Sequence, residues 1–323
     1  MKSLVTASLV GGLLAGSLFV GLALGSPARA QDYPSRDITV VVGYAAGSGA
    51  DLVVRLFAEE LRKRAGRTVI VENKPGALTN IAAQRVATAK PDGYTILITP
   101  GSSTFAINSA IFKEMPFDPI NDFTPVASLA TTPFAFLVPE NSKINSIADL
   151  TKTLKDKQGK GKYGYPNSIS LVAAELYKKV AGVDAIGISY KSMPDAHGAL
   201  RGDEVDFFVG DVVIRGGKRL ALTTRERSDA APGAPSAKEQ GLNDYDLFSW
   251  FAAFLPKGAP PEVTQKLAGW FAESVADPEA KKRMLELGVA PWPGVNGEAL
   301  RTFTQDEMRK WKVLCDLAQV PAP

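Results

Sequence analysis

The stretch that most constrains the fold is residues 40–61, which read VVVGYAAGSGADLVVRLFAEEL. An apolar run is followed by a short loop with Gly47 and Gly49, and apolar residues then recur at helical spacing from Leu52 onward. This order predicts a buried strand, a glycine loop and a helix that opens near Asp51. Because the first N–H groups of a helix lack acceptors within it and favour a negative partner, the stretch predicts an anion-binding turn.

The same kind of turn also serves as a plain connection in α/β proteins, and that interpretation stays open. Leu52 stands where the dinucleotide fingerprint G-x-G-x-x-G requires its third glycine. The chain also lacks the phosphate loop G-x-x-x-x-G-K-[ST]. The sequence therefore favours a small anionic molecule over a nucleotide.

Residues 1–30 have the pattern of a secretory signal peptide. Lys2 precedes an uncharged apolar run over 4–24, and Ala28 and Ala30 supply a small-residue cleavage site. We expect cleavage after Ala30. The alternative is an uncleaved membrane anchor, since the run approaches the ~20 residues that a bilayer span requires.

The charge balance gives no support to a nucleic-acid partner. The formal net charge is +3, and removal of Lys2 and Arg29 with the predicted signal peptide leaves +1. Nucleic-acid binding needs a strong basic excess. The single cysteine, Cys315, excludes an internal disulfide, and the single histidine, His197, excludes a histidine-rich metal site.

The single histidine also restricts catalysis. A serine hydrolase needs a histidine within reach of its nucleophile, and no G-x-S-x-G elbow surrounds any serine of this chain. We therefore expect no enzymatic activity. The alternative that stays open is a periplasmic hydrolase built on Ser168 or Ser170 with His197.

Strand and helix patterns alternate from Asp37 onward, which predicts an open α/β sheet. Strands are predicted over 69–73 and 94–99, and Thr79 or Asn80 is expected to cap the helix between them. A polar loop is predicted over 101–104, so three successive strands end in polar loops. Open α/β sheets bind ligands at this edge.

A second α/β unit is expected because the pattern of strand, polar loop and helix start repeats. Two extended pieces are predicted over 123–129 and 131–139, and residues 167–170 cap a later helix. Residues 247–255, LFSWFAAFL, predict a buried strand long enough to run between domains.

A mature length of roughly 290 residues exceeds the usual single core, so we expect two domains. We assign residues 31–130 to domain 1, 131–246 to domain 2 and 247–323 to a return of the chain to domain 1. Two extended crossings, near Thr131 and near Ser249, join the domains. Such a pair of hinges suits closure around a ligand.

The segments VVVGYAAGSGAD, VENKPGALTNIAAQRVATAKPDGYTILI and SWFAAFLPKGAPPEV resemble the periplasmic solute-binding proteins of tripartite tricarboxylate transporters, often called the Bug family. The resemblance covers nearly all of the expected mature chain. It implies a two-domain Venus-flytrap fold with two crossover strands and a location in the periplasm. It also implies a protein without catalysis or cofactor.

The resemblance further implies the ligand and the partner. The ligand would be a small carboxylate, either a dicarboxylate, an aromatic acid or an acidic amino acid, and the protein would deliver it to a tripartite tricarboxylate-type membrane permease. We expect a monomer. A carboxylate sensor for a two-component kinase is the alternative within the binding class, because a closed solute-binding protein presents the same surface to either partner.

The resemblance places the ligand between loops of the two domains, with the first loops gripping a carboxylate through backbone amides. The predicted ligand-binding residues are Tyr44, Ala45, Gly47, Ser48, Asp51, Gly76, Ala77, Asn80, Ser102, Ser103, Ser168, Ser170 and Asp211.

Several residues depart from the family pattern. Ala45 replaces a proline, Leu78 and Thr79 replace glycines, and Leu171 replaces a frequent histidine. If Leu78 and Leu171 face the cleft, a less polar ligand is expected, such as an aromatic or branched carboxylate.

Overall fold

The structure, a computed structural model, describes residues 33–213 and 217–321. The predicted signal peptide lies outside the described residues. Two units divide the chain, Met1–Tyr33 and Pro34–Pro323, and all the helices and strands described here belong to the second.

The first elements are β1 (Ile38–Val42), α1 (Gly49–Ala65), β2 (Val69–Asn73), α2 (Asn80–Ala87) and β3 (Thr95–Pro100). β1 lies between β2 and β3 and is parallel to both. Val40 and Val41 are fully buried, as expected of a parallel strand that is covered on both faces. Ser48 caps the start of α1, and Gly66, in the left-handed region at φ 61°, ends it.

The chain does not form the predicted polar loop after β3. It enters a π-helix (Ser102–Ile107) that continues into α3 (Asn108–Ile111). Phe105, Ala106 and Ile107 are buried, so the apolar half of this segment is held against the core. The loop prediction for residues 101–104 was wrong because it weighed the polar residues and not the apolar ones that follow.

The strand β4 (Phe123–Val138) replaces the two predicted extended pieces with one strand of 16 residues. Its first part pairs antiparallel with β9 (Phe248–Pro256), up to Pro133 opposite Phe248. Its last part pairs with β7 (Phe207–Asp211) and β8 (Lys218–Leu222). β4 is therefore the continuous crossing between two lobes of one sheet, in the order β2-β1-β3-β9-β4-β7-β5-β6.

We call the part around β1–β3 and β9 the first lobe and the part around β5–β8 the second lobe. The second lobe contains α4 (Ile147–Asp156), β5 (Lys162–Tyr165), α5 (Ser168–Ala181), β6 (Ile186–Ser189) and α6 (Met193–Arg201). β5 is parallel to β6 and β7. Ser192 caps α6, with its side chain accepting from the Asp195 N–H.

The C-terminal elements are α7 (Pro261–Ala276), α8 (Pro278–Glu286), the short β10 (Ala290–Pro291) and α9 (Gly297–Ala318). Leu300 of α9 packs into an aromatic cluster of the first lobe. Trp311 and Cys315 of the same helix pack with buried residues of α4 and α5. α9 thus contacts both lobes, and the domain boundaries stay a prediction.

Candidate functional site

Three connections of the first lobe emerge at one edge of the sheet. They follow β1, β2 and β3, which run parallel, so their carboxyl ends point the same way. We call them loop 1 (residues 43–48), loop 2 (residues 74–79) and segment 3 (residues 101–104). Side chains and backbone groups tie the three together.

Loop 1 is held by the fully buried carboxylate of Asp51. Its Oδ2 accepts the Gly47 N–H at 2.7 Å and the Arg55 Nε at 2.8 Å, and its Oδ1 accepts Asn73 Nδ2 at 2.7 Å. The same Nδ2 donates to the carbonyl of Tyr44 at 2.9 Å. Asp51 was predicted to contact ligand, and the structure places its carboxylate inside loop 1 as the organiser of that loop.

These contacts set the charge of Asp51. Burial alone would raise the pKa of its carboxyl, but the hydrogen bonds from Arg55, Asn73 and Gly47 together with the charge of Arg55 outweigh it and lower the pKa below 3.8. Asn73 was not among the predicted residues, although an asparagine that ends a strand beside a glycine loop could have indicated a residue that holds the loop in place.

The start of α1 supplies donors that the helix itself does not use. Ser48 Oγ accepts the Asp51 N–H, and the Ala45 carbonyl accepts the Ser48 N–H. The N–H groups of Gly49 and Ala50, at the first two helical positions, have no acceptor within α1. They are the kind of backbone donor that binds a carboxylate at a helix start.

Loop 2 has an uncommon backbone. Gly76 has φ 128°, and Ala77, Leu78 and Thr79 follow at φ 44°, 49° and 80°. Three consecutive non-glycine residues with positive φ each carry a steric cost, which structures tend to keep at functional sites. Ala77 and Leu78 are exposed, so this strained turn faces solvent beside loop 1.

We expect Leu78→Gly to stabilise the protein by about 0.5–1 kcal/mol, because glycine removes the left-handed cost of a side chain that is 49 % exposed. Urea unfolding measures the change. Leu52→Gly is the matched control, since Leu52 is similarly exposed but lies inside α1, where glycine costs about 1 kcal/mol. Equal destabilisation of both variants would show that the turn is not strained.

Loop 2 is tied to segment 3 by buried hydroxyls. Thr79 Oγ1 donates to Thr104 Oγ1 at 2.8 Å, and Thr104 Oγ1 lies 2.6 Å from Thr99 Oγ1. Asn108 Nδ2 donates to the Leu78 carbonyl at 2.6 Å and to Asn80 Oδ1 at 2.8 Å. Thr79 occupies the N-cap position of α2 as predicted, but its side chain makes no capping bond, because its backbone is left-handed at φ 80° and its hydroxyl points to Thr104.

Loop 1 meets segment 3 through Tyr44, whose hydroxyl is hydrogen-bonded to Ser103. Burial raises the pKa of this phenol above 10.0, and the bond to Ser103 offsets part of the rise. The predicted ligand-binding residues of the first lobe therefore lie together at one edge of the sheet. The side-chain oxygen of Asn80 accepts from Asn108 inside the fold.

The second-lobe candidates also share an edge. Ser168 begins α5 after β5, Ser170 donates its N–H to Asn167 Oδ1 at 2.9 Å, and Asp211 ends β7. Since β5 and β7 are parallel, these residues emerge on the same side. Asp211 pairs with Phe134 of β4, and burial raises the pKa of its carboxyl.

His197 lies on the other face of the second-lobe sheet from α5. Its ring packs edge-on against Phe208 at 5.1 Å between centroids. Val172 of α5 packs in the core that contains Phe207 and Val209, and successive residues of a strand point to opposite faces. The sheet thus separates His197 from the helix that carries Ser168 and Ser170, which removes the geometric basis of the hydrolase alternative.

Leu171 is buried in the second-lobe core, whereas Leu78 is exposed, so of these two leucines only Leu78 can make an apolar contact with a ligand.

An open depression of about 440 Å³ lies between α4, the end of α5 and residues 240–242, and none of the predicted site residues lines it.

Within residues 33–213 and 217–321, no group of three or more histidine, cysteine, aspartate or glutamate residues is placed to hold a metal ion. Among the helices of that same part of the chain, none combines the length and the apolar character that a membrane span requires.

The comparisons with known proteins agree with this fold. The family model TctC, described as the tripartite tricarboxylate transporter family receptor, matches residues 53–319. A UPF0065 protein of Bordetella bronchiseptica is 34% identical over 300 residues, which cover 90% of this chain and 88% of that protein.

Two solved structures show the same architecture. The periplasmic binding protein BugD superposes with a TM-score of 0.75 at 29% identity, over 90% of this chain and 99% of its own. R. palustris Rpa4515, solved with adipate, superposes with a TM-score of 0.78 at 28% identity, over 89% of this chain and 99% of its own. The expected two-domain α/β fold is confirmed, and the chain belongs to the tripartite tricarboxylate transporter receptor family of Bug-type periplasmic solute-binding proteins.

Proposed function

We propose that this protein captures a small dicarboxylate in the periplasm and delivers it to a tripartite tricarboxylate-type membrane permease. One carboxylate accepts hydrogen bonds from the N–H groups at the start of α1 and from loop 2, and the second lobe closes over the ligand with Ser168, Ser170 and Asp211. The protein acts without catalysis. The relative solved with adipate supports the ligand class.

The observation that carries the proposal is the convergence of loop 1, loop 2 and segment 3. Tyr44 is bonded to Ser103 and Thr79 to Thr104, so the donors at Gly49, Ala50 and loop 2 are held at one edge. Fixed backbone dipoles bind an anion without the cost of ordering a long cationic side chain.

A thermal-shift screen of the mature protein tests the proposal. The panel contains adipate and other α,ω-dicarboxylates, aromatic acids, acidic amino acids and matched monocarboxylates. A ligand present at about 100 times its Kd stabilises the folded state by about 2.7 kcal/mol, which raises the melting temperature by several degrees. The proposal predicts that shift for a dicarboxylate, and no shift with any acid in the panel would contradict it.

We expect Ala77→Trp to abolish the ligand shift and to leave the melting temperature of the free protein within about 2 °C of wild type. Ala77 is exposed, and alanine at φ 44° already carries the left-handed cost of an L side chain, so a bulky side chain blocks the donors without entering the core. Ala272→Trp, at an exposed position on α7, is the matched control and keeps the full shift. A normal shift in Ala77→Trp would remove loop 2 from the site.

A further inference from the structure

Three buried hydroxyl groups lie where the two lobes meet, and we call Ser102, Thr132 and Ser249 the hydroxyl row. None of their side-chain oxygens has a hydrogen-bond partner among the residues that the structure describes. Ser102 is 0 % exposed and Ser249 is 4 % exposed. Only Ser102 was among the residues predicted from the sequence.

The strand register pairs two of these residues, and the chain around Gly101 brings the third close to them. Thr132 of β4 is paired with Ser249 of β9. β3 is paired with β9 as far as Pro100 opposite Phe251, so Ser102 and Ser249 both stand two positions beyond that last pair. A Cβ on Gly101 would lie 1.9 Å from the Trp250 ring, which shows that the chains stay adjacent one residue past the pairing.

The row also lies on the path of the crossing strands. β4 and β9 pair from the first lobe to Pro133 and Phe248, and Asp211 follows beside Phe134. Ser102 precedes Ser103, which is bonded to Tyr44 of loop 1. The row therefore stands between the first-lobe donors and the acidic end of β7.

Buried hydroxyls without partners are uncommon, because a buried polar group that makes no hydrogen bond costs stability. A strand does not call for hydroxyls at these positions, since valine has the shape of threonine without its hydroxyl and is a common strand residue. Polar groups that the fold leaves unsatisfied at the meeting point of two lobes indicate a partner from outside the chain.

We propose that the hydroxyl row binds the second carboxylate of the ligand at the base of the site. The first carboxylate is bound at the start of α1, and the row selects for acids that carry a second one. This inference rests on the proposed function. It adds Thr132 and Ser249 to the binding residues and makes the crossing strands part of the specificity for dicarboxylates.

The test compares adipate with hexanoate, which has the same carbon chain and a single carboxylate. Titration calorimetry measures both acids against wild type, Thr132→Val and Ser249→Ala. We expect each variant to weaken adipate about tenfold or more, since hydrogen bonds to a charged group are lost, and to leave the Kd of hexanoate within about twofold.

The stability of the free protein gives a second readout. Replacing an unsatisfied hydroxyl with an apolar group of similar shape is neutral or stabilising, so both variants are expected to melt at or above the wild-type temperature. Ser128→Ala is the matched control on the same strand, because Ser128 Oγ is buried but donates to the Trp292 carbonyl at 2.6 Å. It is expected to melt lower than wild type and to bind adipate normally.

The outcomes separate the two proposals. An unchanged adipate Kd in Thr132→Val and Ser249→Ala, or an equal loss of affinity for hexanoate, overturns the role of the row. The proposed function then still stands if Ala77→Trp no longer binds either acid. A wild-type protein that binds no dicarboxylate of the panel overturns the dicarboxylate proposal and the row with it.

Discussion

Replacing Gly101 with alanine is expected to destabilise the protein by about 3 kcal/mol. The backbone of Gly101 is helical at φ −67°, so alanine meets no conformational obstacle there. Its Cβ, however, would lie 1.9 Å from one ring atom of Trp250 and 2.1 Å from another. Insertion of a methyl group into a packed core costs about 1–3 kcal/mol, and this contact is near the upper end because the ring has no room to move.

The ring of Trp250 is fully buried and is packed by Phe303 at 5.3 Å and Trp292 at 6.0 Å between centroids. Gly269→Ala is the matched control: Gly269 lies in α7, and its added Cβ meets nothing within 4 Å. Alanine is the better helix former, so that variant is expected to gain about 0.5–1 kcal/mol. Chemical unfolding of both variants measures the contrast, and a neutral Gly101→Ala would show that segment 3 does not rest on Trp250.

Replacing Asp51 with asparagine is expected to cost about 2 kcal/mol at pH 7 and to weaken ligand binding. The asparagine amide cannot accept from Gly47, Arg55 and Asn73 together, so a buried donor loses its partner and loop 1 loses its organiser. Asp156→Asn is the control, because Asp156 is 63% exposed and its pairing with Lys152 is a surface contact.

The cost of Asp51→Asn is expected to depend on pH. The pKa of Asp51 in the folded protein is lowered from 3.8, so its ionised form stabilises the fold at pH above that ordinary value. This stabilisation is lost as the pH falls through the lowered folded-state pKa. Urea unfolding between pH 7 and pH 3 should therefore show a difference in the free energy of unfolding between Asp51→Asn and wild type. This difference is constant near neutrality and shrinks below about pH 4. A difference that grows in acid would contradict the assignment.

Local chemistry explains why much of the fold could be predicted. The start of α1 near Asp51 and the cap of α5 within residues 167–170 agree with the prediction from the sequence, because Ser48 and Asn167 begin these helices through local hydrogen bonds. These features depend on a few neighbouring residues. The convergence of loops after β1, β2 and β3 also followed from the sequence, because parallel strands share an edge.

Other features depend on distant residues and were not predictable. The π-helix after β3 starts next to Gly101, which lies against the ring of Trp250 from a strand late in the chain. The turn of Ala77, Leu78 and Thr79 has positive φ although none of these residues favours it, because Thr104 and Asn108 hold the turn from the neighbouring segment.

Thr132 and Ser249, which we propose to bind the second carboxylate, are the residues that the sequence pattern indicated least. In the sequence they are ordinary residues of extended segments, and only the pairing of β4 with β9 brings them together. Asp51 is the opposite case. The resemblance implied ligand contact for it, and in the structure its carboxylate accepts hydrogen bonds from Gly47, Arg55 and Asn73.

Amide hydrogen exchange of the mature protein, with and without adipate, tests whether backbone donors at the start of α1 and in loop 2 bind the carboxylate. We expect slower exchange at the N–H groups of Gly49, Ala50 and Ala77, because the bound carboxylate accepts from them. Binding of adipate that leaves these three amides unprotected and slows exchange only elsewhere would contradict this binding mode.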